Sequence, residues 1–209
     1  MFRLLFLIAL LQFHQPVFST EDTVSQAVAR YLTRIHKYME DEDWINAKRE
    51  LEVTARRYFK NEDSYERALI NQLYGQFYAL QRDYKNAIPW FEKAIAKGRL
   101  PFAADLQVSY SLAQCYFQTG RYKDVITTLE NYRDKASKRG QNMAPIQLML
   151  LGIAYYQEQD TLNAYLNIAE ANATATKLNE EWLQYEFALA VKLEKYDDAV
   201  RVGQFLIFV

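Results

Sequence analysis

Few residues in this 209-residue chain could do nucleophilic, acid–base or metal chemistry. It holds two histidines, His14 and His36, and one cysteine, Cys115. A His/Cys metal site needs a cluster of such ligands, and a Ser-His-Asp triad needs a histidine between a nucleophile and an acid. His14 lies just behind an apolar N-terminal run, which leaves His36 alone in the rest of the chain. The acids Glu40, Asp41, Glu42 and Asp43 are consecutive, but carboxylates in a turn before a helix are far more often solvated caps. No glycine-rich phosphate loop is present. Cys115, in SLAQCYF, reads as a small buried hydrophobe, with an intermolecular disulfide or a reactive thiol as the alternative. Asn172-Ala-Thr174 matches the N-glycosylation triplet, which matters only in a eukaryotic secretory setting. The residues therefore point away from catalysis, metals and cofactors, and an enzyme with an unrecognised site is the reading of another class.

What remains is binding, and the elements that would position it are helical. Gly and Pro number 6 and 4, so loops are short, and half the residues are hydrophobic, enough for a sizeable core. The net charge of −1 comes from interspersed acids and bases, which disfavours a nucleic-acid partner. Arg3 precedes the apolar run Leu4 to Leu11, and Val17-Phe18-Ser19 suits signal peptidase, so residues 1–19 read as an export signal cleaved before Thr20. The competing reading, an uncleaved anchor, needs about 20 apolar residues and the run is far shorter. No transmembrane segment is expected after cleavage, and no cysteine follows the run to carry a lipid.

From Val24 the apolar residues Val28, Tyr31, Leu32, Ile35 and Tyr38 recur at helical steps, and Asp43 can cap the next helix, from Trp44 to about Phe59. The same pattern then returns. With Ala68 as position one, Tyr74 and Gly75 stand at seven and eight, Tyr78 at eleven, Tyr84 at seventeen, Ala87 at twenty, Phe91 at twenty-four and Ala94 at twenty-seven. Small residues at eight and twenty let two helices approach, with the aromatics at eleven and twenty-four on either side. Units counted from Val28, Leu106, Pro145 and Glu180 keep this register. The first has Ile35 where the second has Gly75. The fifth keeps Tyr196, Ala199 and Gly203 but has Phe187 where a small residue is expected at eight. The starts are 40, 38, 39 and 35 residues apart, longer than the roughly 34 of a strict unit, so helices or linkers must carry the excess.

These positions resemble the tetratricopeptide (TPR) repeat. The expected fold is an all-α, right-handed solenoid of about five helix pairs, with a divergent first pair in 20–62 and four more in 63–209, the last cut short. In such repeats positions two, five, nine, twelve and thirteen of each first helix face a concave groove. The resemblance thus implies a protein-binding row from Gln72 and Gln76 through Tyr110, Gln114 and Phe117 to Met149, Ile153 and Tyr156. Leu69, Ala79, Leu80, Gln107, Gln118, Ile146 and Gln157 stand at the neighbouring positions. The Lys, Arg and Asn clamp with which some TPR proteins grip acidic C-terminal peptides is absent. Gln, Met and aromatics suit an extended or helical protein segment instead, the alternative being that they pack against the next helix pair.

The signal-like start, the break before NEDSYERALINQLYGQFYALQRDYKNAI, the run AIAKGRLPFAADLQVSYSLAQCYFQTGRY and the segment EEWLQYEFALAVKLEKYDDAV are similar to exported TPR proteins associated with bacterial TonB–ExbB–ExbD systems. That resemblance implies a non-catalytic periplasmic scaffold assisting TonB-dependent energy transduction and uptake, with TonB, ExbB or ExbD as partners. A periplasmic envelope assembly factor or chaperone-like adaptor is the alternative. The sequence closes on Phe205-Leu-Ile-Phe-Val209, an apolar end that a solenoid must cover. Further repeats, a second copy or another partner would each cover it, further repeats being the favoured expectation.

Overall fold

The computed structural model describes residues 26–58, 61 and 63–207. The expected signal at 1–19 and its cleavage site lie outside the described residues, as do Phe59, Phe208 and Val209. Among the described residues every regular element is a helix: α1 (Gln26–Glu40), α2 (Trp44–Tyr58), α3 (Tyr65–Leu80), α4 (Tyr84–Ile95), α5 (Phe102–Gln118), α6 (Tyr122–Ser137), α7 (Pro145–Gln157), α8 (Thr161–Thr174), α9 (Glu180–Lys192) and α10 (Tyr196–Leu206). Each packs on its neighbours in the chain, which makes an all-α solenoid of five helix pairs.

One turn geometry recurs in every pair. Three residues join the two helices each time, and the middle of these, position fifteen, is left-handed: Glu42, Arg82, Gly120, Gln159 and Glu194 have φ of 55°, 61°, 74°, 64° and 59°. The N–H of position sixteen then returns to the carbonyl of position eleven, as Asp83 to Tyr78 (2.9 Å) and Arg121 to Tyr116 (2.9 Å), closing the first helix in a Schellman-type cap. Position sixteen also opens the second helix. The carboxylates of Asp43, Asp83 and Asp160 accept from the backbone N–H and side-chain amide of Asn46, Asn86 and Asn163. In the third pair the charges are exchanged, and Arg121 Nε donates to Asp124 at 2.7 Å. With the turns fixed at three residues, the excess over a strict unit falls in the linkers between pairs, such as 96–101 and 138–144, and in the long helices α5 (17 residues) and α6 (16 residues).

Within a pair, the close approach differs from the expected one. A Cβ on Gly75 would lie 2.5 Å from the ring of Phe91, and one on Gly152 would lie 2.6 Å from Ile168. The large side chain at twenty-four thus sits directly on the small residue at eight, instead of beside it. This also corrects the reading of Gly203 as a residue that keeps the pattern. Phe187 occupies position eight and Gly203 position twenty-four, and a Cβ on Gly203 would meet the Phe187 ring at 3.5 Å. Large and small have changed places across the same contact, so volume is conserved while its source helix is exchanged.

Two apolar clusters form the core. One joins Val28, Leu32, Ile35, Ala47 and Leu51 to Ile70, Leu73 and Phe77. The other runs from Ala68 and Phe91 through Leu112, Leu129, Leu151 and Ile168 to Ala199. They meet at α3, where Leu69 and Tyr78 touch both. Pairs are bolted together by a repeated hydrogen bond. The tyrosine at eleven donates to the glutamate at twenty-five of the preceding pair, Tyr116 to Glu92 at 2.6 Å and Tyr155 to Glu130 at 3.0 Å. The fifth pair is held differently. The buried carboxylate of Glu186 accepts from Arg201 (3.0 Å) and from Asn172 (2.9 Å), while Tyr165 donates to Asp198 at 2.7 Å.

Candidate functional site

The first-helix row divides by depth. Its inner tier, positions five and nine, is the more deeply buried. Gln76 is 3% exposed, and Met149 and Ile153 are buried in the core. Gln72, Tyr110 and Gln114 are half-buried. Burial pushes the Tyr110 hydroxyl up to about 12, against the opposing pull of its hydrogen bond with Gln114. A side chain with no accessible surface offers a partner nothing to touch, so Met149 and Ile153 serve packing. The structure thus brings the eight expected residues into one row but leaves only part of it open.

The outer tier, positions twelve and thirteen, lies in the last turn of each first helix, where the chain reverses. Here Leu80 and Phe117 are half-buried, Gln118 and Gln157 are exposed, and Tyr156 is 43% exposed. The fifth pair adds Val191 and Lys192, both exposed, with the Lys192 ammonium 5.8 Å from the centre of the Tyr156 ring. Val191 and Lys192 were missing from the expected row. Their signal was available, because they stand twelfth and thirteenth from Glu180. Phe117 is braced edge-on against Tyr122, their ring centres 5.4 Å apart. The outer tier is thus a line of apolar and aromatic side chains interleaved with amides and one cation. Such a surface can hold protein by apolar burial and hydrogen bonds.

Polar groups near the N-terminal end of the row lack partners. Thr54 Oγ1 on α2, and Asn71 Oδ1, Gln72 Oε1 and Gln76 Oε1 on α3, are buried without a hydrogen bond, and Glu50 is compensated by Arg34 at 2.7 Å. Beside the outer tier, Arg82, Asp83, Tyr84, Lys85, Gln118 and Thr119 line a depression of about 390 Å³ between the turns of the second and third pairs. Its single carboxylate, Asp83, is already engaged by Asn86 as the cap of α4.

The residues first weighed for chemistry are otherwise engaged. Cys115 is buried and its thiol is pushed up to about 12 by that burial, so little thiolate exists at neutral pH. Burial lowers the pKa of His36, only partly opposed by Glu40. Asn172 would carry a glycan on the same Nδ2 that donates to Glu186 and to the Trp182 carbonyl (3.1 Å), so the triplet is closed to modification in the folded chain. Among the described residues no group of three or more His, Cys, Asp or Glu is placed to hold a metal ion, and no helix is long and apolar enough to cross a membrane.

Comparison with known proteins bears on this geometry. The family model described as "Anaphase-promoting complex, cyclosome, subunit 3" matches residues 80–144, from the end of α3 to the linker before α7. Among solved structures, the chain is similar to MamA 41-end from Desulfovibrio magneticus RS-1, with TM-score 0.68 and 16% identity over 88% of this chain and 96% of that one. The fold is that of a TPR-type repeat protein. A tetratricopeptide repeat protein from Parabacteroides merdae ATCC 43184 gives TM-score 0.65 and 15% identity over 88% of this chain and 66% of that one. PilW, described as a widely conserved type IV pilus biogenesis factor, gives TM-score 0.53 and 16% identity over 88% and 93%. No curated protein matches the sequence. At these identities the likeness concerns the fold, and repeats of this type are generally non-catalytic scaffolds for protein partners.

Proposed function

We propose that the chain is an exported, non-catalytic TPR scaffold that holds a protein segment along the outer tier of its first helices. The observation that carries this reading is the continuity of Ala79, Phe117, Tyr156 and Val191 across four successive pairs, each at position twelve and each at least partly open to solvent. A row that advances one position per pair suits an extended or helical segment, which meets the pairs in sequence. The N-terminal pattern of residues 1–19 supports a periplasmic location. Together with the resemblance to TPR proteins of TonB–ExbB–ExbD systems, it supports a role in assisting TonB-dependent energy transduction and uptake.

The second reading, an envelope assembly factor, draws on the same export pattern and on the likeness in fold to a pilus biogenesis factor. Affinity capture of the tagged chain from a periplasmic extract separates the two. TonB, ExbB or ExbD in the eluate supports the first reading, and outer-membrane assembly components support the second. Turnover of an envelope substrate by the purified chain would overturn both.

A further inference from the structure

The turn of the second pair differs in charge from the other four. Positions fifteen and eighteen flank the start of each second helix, and in the second pair both hold a cation, Arg82 and Lys85. The other pairs hold Glu42 and Ile45, Gly120 and Lys123, Gln159 and Leu162, and Glu194 and Asp197. Arg82 and Lys85 are exposed, and among the described residues neither pairs with a carboxylate. The acids around them are occupied. Asp83 accepts from the Asn86 side chain at 2.7 Å, Asp124 from Arg121 at 2.7 Å, and Glu92 from the Tyr116 hydroxyl at 2.6 Å. Both cations line the depression between the turns of the second and third pairs, which keeps one net positive charge once Asp83 is set against them. Leu80 stands two residues before Arg82, and Phe117 directly before Gln118, so this depression adjoins the outer tier.

We propose that the protein segment held along the outer tier carries an aspartate or glutamate where it crosses from the second pair to the third. Its carboxylate lies between Arg82 and Lys85, and apolar residues follow on the side of Tyr156 and Val191. The proposal rests on the outer-tier reading above and adds the chemistry of the occupant. A basic side chain would meet two exposed cations here, and an apolar one would strip water from their donors without replacing it. The first pair fixes the place of the acid. Glu40, Asp41 and Glu42 are exposed at its turn, so a carboxylate shifted by one pair in that direction is repelled. In the other direction Tyr156 is 43% exposed and Val191 44%, which offers apolar area instead. The contact lies at the turn and not at positions two, five and nine, so it is distinct from the groove clamp that this chain lacks.

Selection of phage-displayed peptides of random sequence on the purified chain tests this. The expected result is enrichment of peptides with Asp or Glu beside apolar residues. A selected peptide, fluorescently labelled, should then bind Arg82→Glu/Lys85→Glu about tenfold or more weakly than the unaltered chain. The fold tolerates these residues, because Glu42 and Glu194 already stand at position fifteen and Asp197 at eighteen. Lys48→Glu/Arg49→Glu, the same charge change on exposed residues of α2, should leave binding unchanged. Should the first reversal lose helicity, Arg82→Gln/Lys85→Gln decides by the same loss of affinity. Peptides without acidic enrichment that still lose affinity in Tyr156→Ala/Gln157→Ala/Val191→Ala would overturn the acidic contact while the outer-tier reading stands. Acidic peptides indifferent to the Arg82 and Lys85 variants, or weakened equally by both reversals, would overturn it as well. Selection of no peptide by the unaltered chain would overturn both.

Discussion

Positions five and nine and positions twelve and thirteen lie on the same first helices, less than three turns apart, yet the first set is the more deeply buried, most sharply in α7. In α7 the inner residues Met149 and Ile153 are buried, while Tyr156 and Gln157 in the next turn are open. In α5 Tyr110, Gln114 and Phe117 are half-buried, and only Gln118 is exposed among these positions. The difference teaches that helix periodicity selects a face but not a depth. Depth depends on how closely consecutive pairs stack, which the spacing along one helix does not record.

The contrast breaks most visibly by truncating one residue in each tier. Met149→Ala should cost roughly 2–5 kcal/mol, as large-to-small changes in a packed core do, measured by denaturant unfolding. A loss near zero would place Met149 on the open surface. Tyr110 offers a second, pH-dependent test. Its folded pKa, about 12, lies above the ordinary tyrosine value of about 10. The folded chain therefore holds that proton more tightly, and this contribution to stability is full below about pH 10 and is lost as pH rises through about 12. Tyr110→Phe should gain relative to the unaltered chain across that window, and a pH-independent difference would contradict burial of the hydroxyl.

Gln76 sharpens the comparison from the other side, because its orphaned Oε1 carries a desolvation penalty of about 1–3 kcal/mol. Gln76→Leu should be neutral or raise stability by about 1 kcal/mol, and a clear loss would show that the amide has a partner. The smallest effect belongs to the outer tier. Tyr156→Ala should leave stability within about 0.5 kcal/mol, as surface changes do, and a core-sized loss in thermal unfolding would merge the tiers.

Much of the architecture was legible because it is written in register. Gly75, Ala87 and Phe91 and their counterparts mark the second, third and fourth pairs, and Asp43 caps α2 as its position suggests. The shared turn was harder to see. Only Gly120 shows the glycine a left-handed residue favours, and the same position elsewhere holds Glu42, Arg82, Gln159 and Glu194, whose strain the flanking helices absorb. The exchange of Phe187 and Gly203 looked like one departure and one match, because a compensated pair can be recognised only once both helices are in contact. The binding row was legible as a list of positions. Its depth was not, since burial of Gln76, Met149 and Ile153 is decided by the neighbouring pair and not by their own helix.

Partner capture measured beside stability tests the central claim, that the outer tier is the working surface of the scaffold. The account predicts that Tyr156→Ala/Gln157→Ala/Val191→Ala abolishes capture of the periplasmic partner with little change in melting temperature. It also predicts that Met149→Ala, assayed well below its own lowered melting temperature, still captures. Retained capture by the triple variant, or capture that falls only in step with melting temperature in both, would contradict it.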